Sequence, residues 1–347
     1  MLPPSNTPGS TIGSQMPQPD DSPTTSTLDA TSTSEAPTVT VLCGGVGAAR
    51  FLRGLMRVVP QANITAIVNT ADDTVLHGLH ISPDIDTCIY TMAEAINTET
   101  GWGLANETWQ AMETLERYGG ITWFGLGDRD LGTHLYRTHR LAEGAGLTTV
   151  TAEIAAAWAL SVRVLPVTEH RIETRVTVVD EGEIGFQEYF VRRQHDVAVR
   201  AIRFAGAGAT TPGPGTLEAI DAADVVVIAP SNPIVSIGPL LAVPGIREAL
   251  TARRSHTVAI SPIVDGAALK GPADRMLREL GHEPSVAGVA NLYADIAASL
   301  VIDEADAARE PSVTASGIGC IVAPTIMSDA DKAADLARVV LKSASSA

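Results

Sequence analysis

The strongest constraint on the fold is a strand–turn–helix–strand unit in the first quarter of the chain. Val39-Thr40-Val41-Leu42-Cys43 is an apolar run closed by Gly44-Gly45-Val46-Gly47, and residues 48–59 then carry apolar side chains at helical spacing. Ile64-Thr65-Ala66-Ile67-Val68 is a second short apolar run. Two such strands joined through a helix predict neighbours in a parallel sheet, buried on both faces. In open parallel sheets ligands sit outside the carboxyl ends of the strands. The residues that follow each run are therefore the first place to look for chemistry.

The remainder extends this pattern and interrupts it once. Residues 86–96, 106–118, 130–143 and 149–159 show apolar side chains three and four apart, as helices do. Short Val-, Phe- and Ile-rich runs at 163–166, 173–179, 185–191 and 199–204 read as strands. The middle two form a hairpin about Glu181-Gly182, outside the parallel sheet. Alternation then resumes, with strands at 224–229, 257–260, 299–302 and 319–322 and helices near 246–252, 273–280, 285–293 and 329–341. The expected fold is α/β: a Rossmann-like, doubly wound, mostly parallel sheet with an inserted helical and β-hairpin region. One domain spans 38–347, with 86–204 as the insertion into its core. Residues 1–37, rich in Ser, Thr, Pro and Gly, bury too little apolar surface to offset their ordering entropy and read as a disordered extension.

Composition excludes several classes. With 24 Lys and Arg against 40 Asp and Glu, the net charge of −16 repels nucleic acid and anionic membranes, so neither is an expected partner. Cys43, Cys88 and Cys320 are far apart and form no metal spacing, which suits a reduced, cytoplasmic protein. No apolar run reaches the length of a membrane span, and the N-terminal residues lack the basic and apolar parts of a secretory signal.

Chemistry concentrates directly after the second strand. Asn69-Thr70-Ala71-Asp72-Asp73, His77-Gly78 and Ser82-Pro83-Asp84-Ile85-Asp86-Thr87 bring four carboxylates and an imidazole into one segment beside the glycine turn. Clustered carboxylates repel one another unless a cation or basic group offsets them. A helix N-cap accounts for Asp84 or Asp86, but not for the whole set. The turn at Gly44, Gly45 and Gly47 is no Walker loop and fails the dinucleotide spacing, with Arg50 at the position of the third glycine. It reads equally as a phosphate cradle or a tight structural turn. Gly127-Asp128-Arg129-Asp130 supplies a phosphate-pairing Arg129 or only a helix cap. His134 and His139, five apart, do not share a helix face and make a poor metal pair. Pro230-Ser231-Asn232-Pro233, followed by Ser236, presents polar groups at another strand end, suited to a nucleoside or phosphate. No nucleophile–base pair is evident, which favours direct transfer to a bound acceptor over covalent catalysis.

Taken in order, these motifs resemble the 2-phospho-L-lactate transferase family of coenzyme F420 biosynthesis, and its bacterial phosphoenolpyruvate transferase branch most closely. The residues that carry the resemblance are 44–52, Val68-Asn69-Thr70-Ala71-Asp72-Asp73, His77-Gly78-Leu79, 82–87, 127–130 with Thr133-His134, 230–233, 236–239 and Ser261-Pro262-Ile263. Ala48-Ala49 departs from many members, which have glycine or another residue before the basic position. The resemblance implies a Mg²⁺-dependent cytoplasmic homodimer. Its donor would be a GDP-linked three-carbon acid and its acceptor 7,8-didemethyl-8-hydroxy-5-deazariboflavin, with GMP released. It implies Asp72 and Asp84 at the metal. Asp73 or Asp86 would act on the acceptor hydroxyl, Arg129 on phosphate charge, and His77 would line the site. Gly44, Gly45, Gly47, Asn69, Ser231, Asn232, Pro233 and Ser236 would lie around the donor. A nucleotidyltransferase-like enzyme, or a nucleotide- or deazaflavin-binding regulator without turnover, is the alternative.

Overall fold

The computed structural model describes residues 36–344, so nearly all of the segment expected to be disordered lies outside the described residues. Three consecutive units build the first half of the sheet. Strand β1 (Val39–Cys43) leads through Gly44 into helix α1 (Gly45–Leu55), and β2 (Ile64–Val68) follows. Every residue of β1 is buried, as expected of a strand covered on both faces. Helix α1 packs Ala48, Ala49, Phe51, Leu52 and Leu55 inward, the single apolar stripe that its spacing requires. A short antiparallel hairpin, β3 (Thr74–Leu76) and β4 (Leu79–Ile81), occupies what read as a plain loop. Helix α2 (Pro83–Met92) comes next, with proline at its first position, where the missing N–H costs nothing.

Helices α3 (Gln110–Arg117), α4 (Asp130–Ala142) and α5 (Leu147–Ala157) follow, close to their expected spans. Strand β5 (Arg163–Pro166) then pairs in parallel with β2. The expected insertion over 86–204 is thereby corrected: its middle returns to the main sheet as an edge strand, because Val164 and Leu165 continue the buried layer. Strands β6 (Glu173–Val178), β7 (Gly182–Gly185) and β8 (Val199–Ala205) form a separate antiparallel sheet in the order β7-β6-β8. Residues 188–192, expected to finish a strand, instead make one wide helical turn. That turn stacks Phe186 on Phe190 with ring centroids 5.4 Å apart, a pairing of residues four apart that an extended chain does not permit.

Strands β9 (Val225–Ile228), β10 (Thr257–Ile260), β13 (Ser299–Ile302) and β14 (Gly319–Val322) complete the main sheet, and β11 (Ile263–Val264) with β12 (Ala267–Ala268) makes a small hairpin. The seven-stranded order is β14-β13-β10-β9-β1-β2-β5, parallel throughout. The chain winds one way from β1 to β5 and the other from β9 to β14, so the order reverses between β1 and β9. No single helix among the described residues is long and apolar enough to cross a membrane.

Candidate functional site

Where strand order reverses, the loops leaving two neighbouring strands part and open a crevice at their carboxyl ends. Here the loops are those after β1 and β9. Ser231 joins them, donating to the Gly44 carbonyl at 2.8 Å and accepting from the Gly44 N–H at 3.3 Å. A Cβ on Gly47 would run into the carbonyl oxygen of Pro230, so glycine is what lets α1 close on the loop after β9. A cavity of about 620 Å³ opens above this junction, and Gly44, Gly45, Gly47, Ser231, Asn232 and Ser236 all line it. Asn232 spends its side-chain oxygen on the Ile234 N–H at 2.9 Å, capping the next turn, and Pro233 is buried in that turn. The glycine turn is only in part a free cradle. Gly45 N–H at the start of α1 already donates to Asp84 Oδ1 at 2.9 Å.

The acidic segment folds onto one amide. Fully buried Asn69 donates from Nδ2 to Asp72 Oδ2 at 3.1 Å and to Asp84 Oδ2 at 3.0 Å, and its oxygen accepts the Ala71 N–H at 2.9 Å. Gln187, reaching across from the antiparallel sheet, donates to the Asp72 carbonyl at 2.7 Å and fixes the segment from the other side. Burial, then the charge of Asp84, pushes Asp72 well above the carboxylate range. Burial also raises Asp84, held to about 6 by the Asn69 amide and the Gly45 N–H. Asp72 Oδ1 is buried with no hydrogen-bond partner. Two buried carboxylates that converge on one amide and line the cavity form a donor set of hard oxygens suited to a divalent cation such as Mg²⁺.

Asp73 turns away from the cavity, accepting from Ser82 Oγ at 2.7 Å, and burial drives its carboxyl up to about 8. His77 sits at the tip of the β3–β4 hairpin, exposed and with φ +53, beside Gly78 at φ +77. It does not line the cavity. Sequence proximity to the acids gave His77 its apparent role, and the tight hairpin turn carries it away. Arg129 is exposed as well. Its guanidinium is held by the Ala105 carbonyl and its N–H by Glu107 Oε2 at 2.7 Å, outside the cavity lining.

The basic partner of the cluster is Arg137 on α4, which sequence reasoning missed. It is wholly buried and grips Asp86 with both terminal nitrogens, Nη1 to Oδ2 at 3.0 Å and Nη2 to Oδ1. One turn earlier, His134 places Nδ1 3.3 Å from Arg137 Nη1 and 3.7 Å from Asp86 Oδ2. Its Nε2 lies 3.3 Å from Asp130 Oδ2, while Tyr90 OH donates to Asp130 Oδ1 at 2.7 Å. Burial raises Asp130, but His134, Tyr90 and Arg137 together outweigh it and hold this carboxyl below its ordinary value. Ligand atoms of Asp86, Asp130 and His134 lie within 4.8 Å of one another, close enough to surround a metal ion. Arg137 already neutralises part of that group's charge. The pattern Asp130–His134–Arg137, four and then three apart, was the available signal, because it puts all three on one face of α4.

Two further features complete the cavity. Arg50 and Lys270 line it, and neither has an acidic partner among the described residues. Tyr90, Trp102, Phe124, Phe186 and Phe190 give it an aromatic wall.

Fold and cleft together define a class: a doubly wound α/β protein whose switch-point cavity sets buried carboxylates against free basic groups beside an aromatic wall. Within that class the chain belongs to the 2-phospho-L-lactate transferase CofD family, whose model matches residues 39–318, and it is a transferase. It is 47% identical over 309 residues to a phosphoenolpyruvate transferase of Streptomyces griseus, covering 88% of this chain and 97% of that one. It is 42% identical over 317 residues to a phosphoenolpyruvate transferase of Nocardia farcinica, covering 88% and 94%. A solved Bacillus halodurans structure of the UPF0052 family shares the fold, with TM-score 0.59 at 20% identity over 88% of this chain and 99% of that one.

Proposed function

We propose that this chain transfers a phosphoenolpyruvyl group from a GDP-linked donor to the primary ribityl hydroxyl of 7,8-didemethyl-8-hydroxy-5-deazariboflavin in coenzyme F420 biosynthesis. The observation that carries the reading is the pair Asp72 and Asp84 on Asn69, both lining the switch-point cavity. The names of the relatives favour the enolpyruvyl over the lactyl donor. Family likeness also supports a cytoplasmic homodimer.

In the proposed reaction the ribityl oxygen attacks the β-phosphorus, the bond from that phosphorus to the bridging oxygen breaks, and GMP leaves with that oxygen. The hydroxyl proton departs to solvent. Mg²⁺ held by Asp72 and Asp84 would neutralise diphosphate charge. Asp86, which lines the cavity with its carboxylate fixed by Arg137, would accept the hydroxyl hydrogen bond and orient the nucleophile. Arg50 and Lys270 offer the donor's phosphates and carboxylate their positive partners. The aromatic wall suits the flat deazaflavin ring. No protein nucleophile is needed, because phosphoryl transfer depends mainly on positioning and charge.

The test supplies purified protein with deazariboflavin, Mg²⁺ and either the enolpyruvyl or the lactyl donor, and reads product mass. Preferential formation of the enolpyruvyl phosphodiester is expected. Exclusive use of the lactyl donor would overturn the donor assignment.

A further inference from the structure

We propose that His195 is an acceptor-binding residue of the cavity. Its imidazole continues the row of rings formed by Phe186 and Phe190, and the face turned away from Phe190 stacks on the flat ring system of the deazariboflavin. This inference rests on the reaction proposed above and assigns the grip on the acceptor's ring to a named side chain.

His195 stands where the backbone is strained. Gln194 and His195 have φ of +50° and +45°, two consecutive residues in the left-handed region, which side chains adopt at a cost. Glycine would take both positions freely. The surroundings impose the conformation instead. The His195 N–H donates to the Tyr189 carbonyl at 2.9 Å, and the His195 carbonyl accepts from Arg275 Nη1 at 2.7 Å. Tyr189 is fully buried, and Arg275 is itself steadied through Nε by Glu279 Oε1 at 2.7 Å. Strain held in place from two sides, beside a cavity, marks a side chain that is being aimed.

What it is aimed at follows from the rings. The His195 and Phe190 centroids are 5.3 Å apart at 35°, and those of Phe190 and Phe186 are 5.4 Å apart at 20°. All three rings line the cavity. Phe186 adjoins Gln187, which holds the Asp72 carbonyl, so the row starts at the carboxylates and ends at His195. The acceptor has the same layout, with a reactive hydroxyl at one end of a ribityl chain and a flat ring at the other. Phe190, Trp102 and Leu269 also line the cavity while 37%, 49% and 58% exposed, a patch of open apolar surface that a ligand ring would cover. The loops after β1 and β9, assigned to the donor, bring no aromatic side chain to the cavity. Neither imidazole nitrogen of His195 has a hydrogen-bond partner among the described residues, so nothing but Phe190 competes for the ring.

Two substitutions in the full-length protein test this role. His195→Gly removes the ring and suits the left-handed backbone, so the fold is kept. His195→Phe restores an aromatic face. Deazariboflavin affinity by calorimetry in the presence of Mg²⁺ and GMP, KM for acceptor and donor, GMP affinity and thermal midpoint are compared with wild type. The Gly variant is expected to lose about tenfold in acceptor affinity and to raise acceptor KM to match, with donor KM and GMP affinity within about threefold and the midpoint little changed. The Phe variant is expected to bind acceptor within about threefold of wild type. Acceptor affinity within threefold of wild type in the Gly variant would overturn the inference. So would an equal loss of GMP affinity in that variant, or a folded Phe variant as weak as Gly. A wild type that binds deazariboflavin through His195 yet forms no phosphodiester would overturn the proposed reaction and leave this assignment standing; a wild type with no affinity for deazariboflavin would overturn both.

Discussion

Removing Arg137 probes the electrostatic logic of the cavity. The Arg137–Asp86 pair is bidentate, with side chains 0% and 6% exposed. Replacing Arg137 by methionine keeps much of the volume and removes the charge, leaving Asp86 buried beside Asp73 and Asp84. Losing one partner of a buried pair costs about 3–5 kcal/mol, most of it from the charge left uncompensated. With an unfolding entropy of about 2.1 cal/mol/K per residue over roughly 300 ordered residues, 4 kcal/mol corresponds to a midpoint about 6 °C lower. Calorimetric midpoints of wild type and Arg137→Met in one buffer are the assay. Adding Asp86→Leu should recover much of the loss. A midpoint within about 1 °C of wild type would refute the argument.

Three other outcomes are expected. Asp84→Asn should lower turnover at least about 100-fold and also lower the thermal midpoint, because both Asp84 oxygens accept hydrogen bonds and the amide nitrogen faces one of those donors; turnover and calorimetry on one preparation read both. In metal-free protein, Asp84 at about 6 and Asp73 at about 8 lie above their unfolded values, so the stability they lend exists at low pH and is lost as pH rises through that window. The metal-free midpoint should therefore fall from pH 6 to pH 8 and the Mg²⁺-induced rise should grow; a pH-independent Mg²⁺ effect would count against cation binding at these carboxylates. His77→Ala and Arg129→Ala, both outside the cavity, should each keep kcat/KM within about threefold of wild type, measured by product formation.

The parts of the fold that were legible in the sequence are those with local signatures. Val39–Cys43 and Val225–Ile228 are apolar along their whole length because they are buried on both faces, and α1 declares itself through one stripe. The acidic segment was legible for the same reason: Asn69, Asp72 and Asp84 come from one stretch of chain and meet on one amide. What was missed depends on pairings distant in sequence. Arg137 reaches Asp86 across 51 residues and Gln187 reaches Asp72 across 115, and no local periodicity reports either. Whereas nothing adjacent in sequence marks Arg137, Arg129 stands beside two aspartates, which is why it reads as a phosphate partner. At the start of α4 it faces outward, and two turns later the helix has come round to the cavity side. The short hairpin at Thr74–Ile81 escaped notice because its three-residue strands are too brief to alternate visibly, and its turn is what displaces His77.

The central claim is attack on the β-phosphorus of a preformed GDP-linked donor. Quantifying GMP against phosphodiester product in one reaction containing protein, Mg²⁺, deazariboflavin and the enolpyruvyl donor tests it most directly. One GMP per phosphodiester, with no product from GTP and deazariboflavin alone, is the predicted result. Pyrophosphate release from GTP, or tight deazariboflavin binding with no GMP formed from either three-carbon donor, would contradict it.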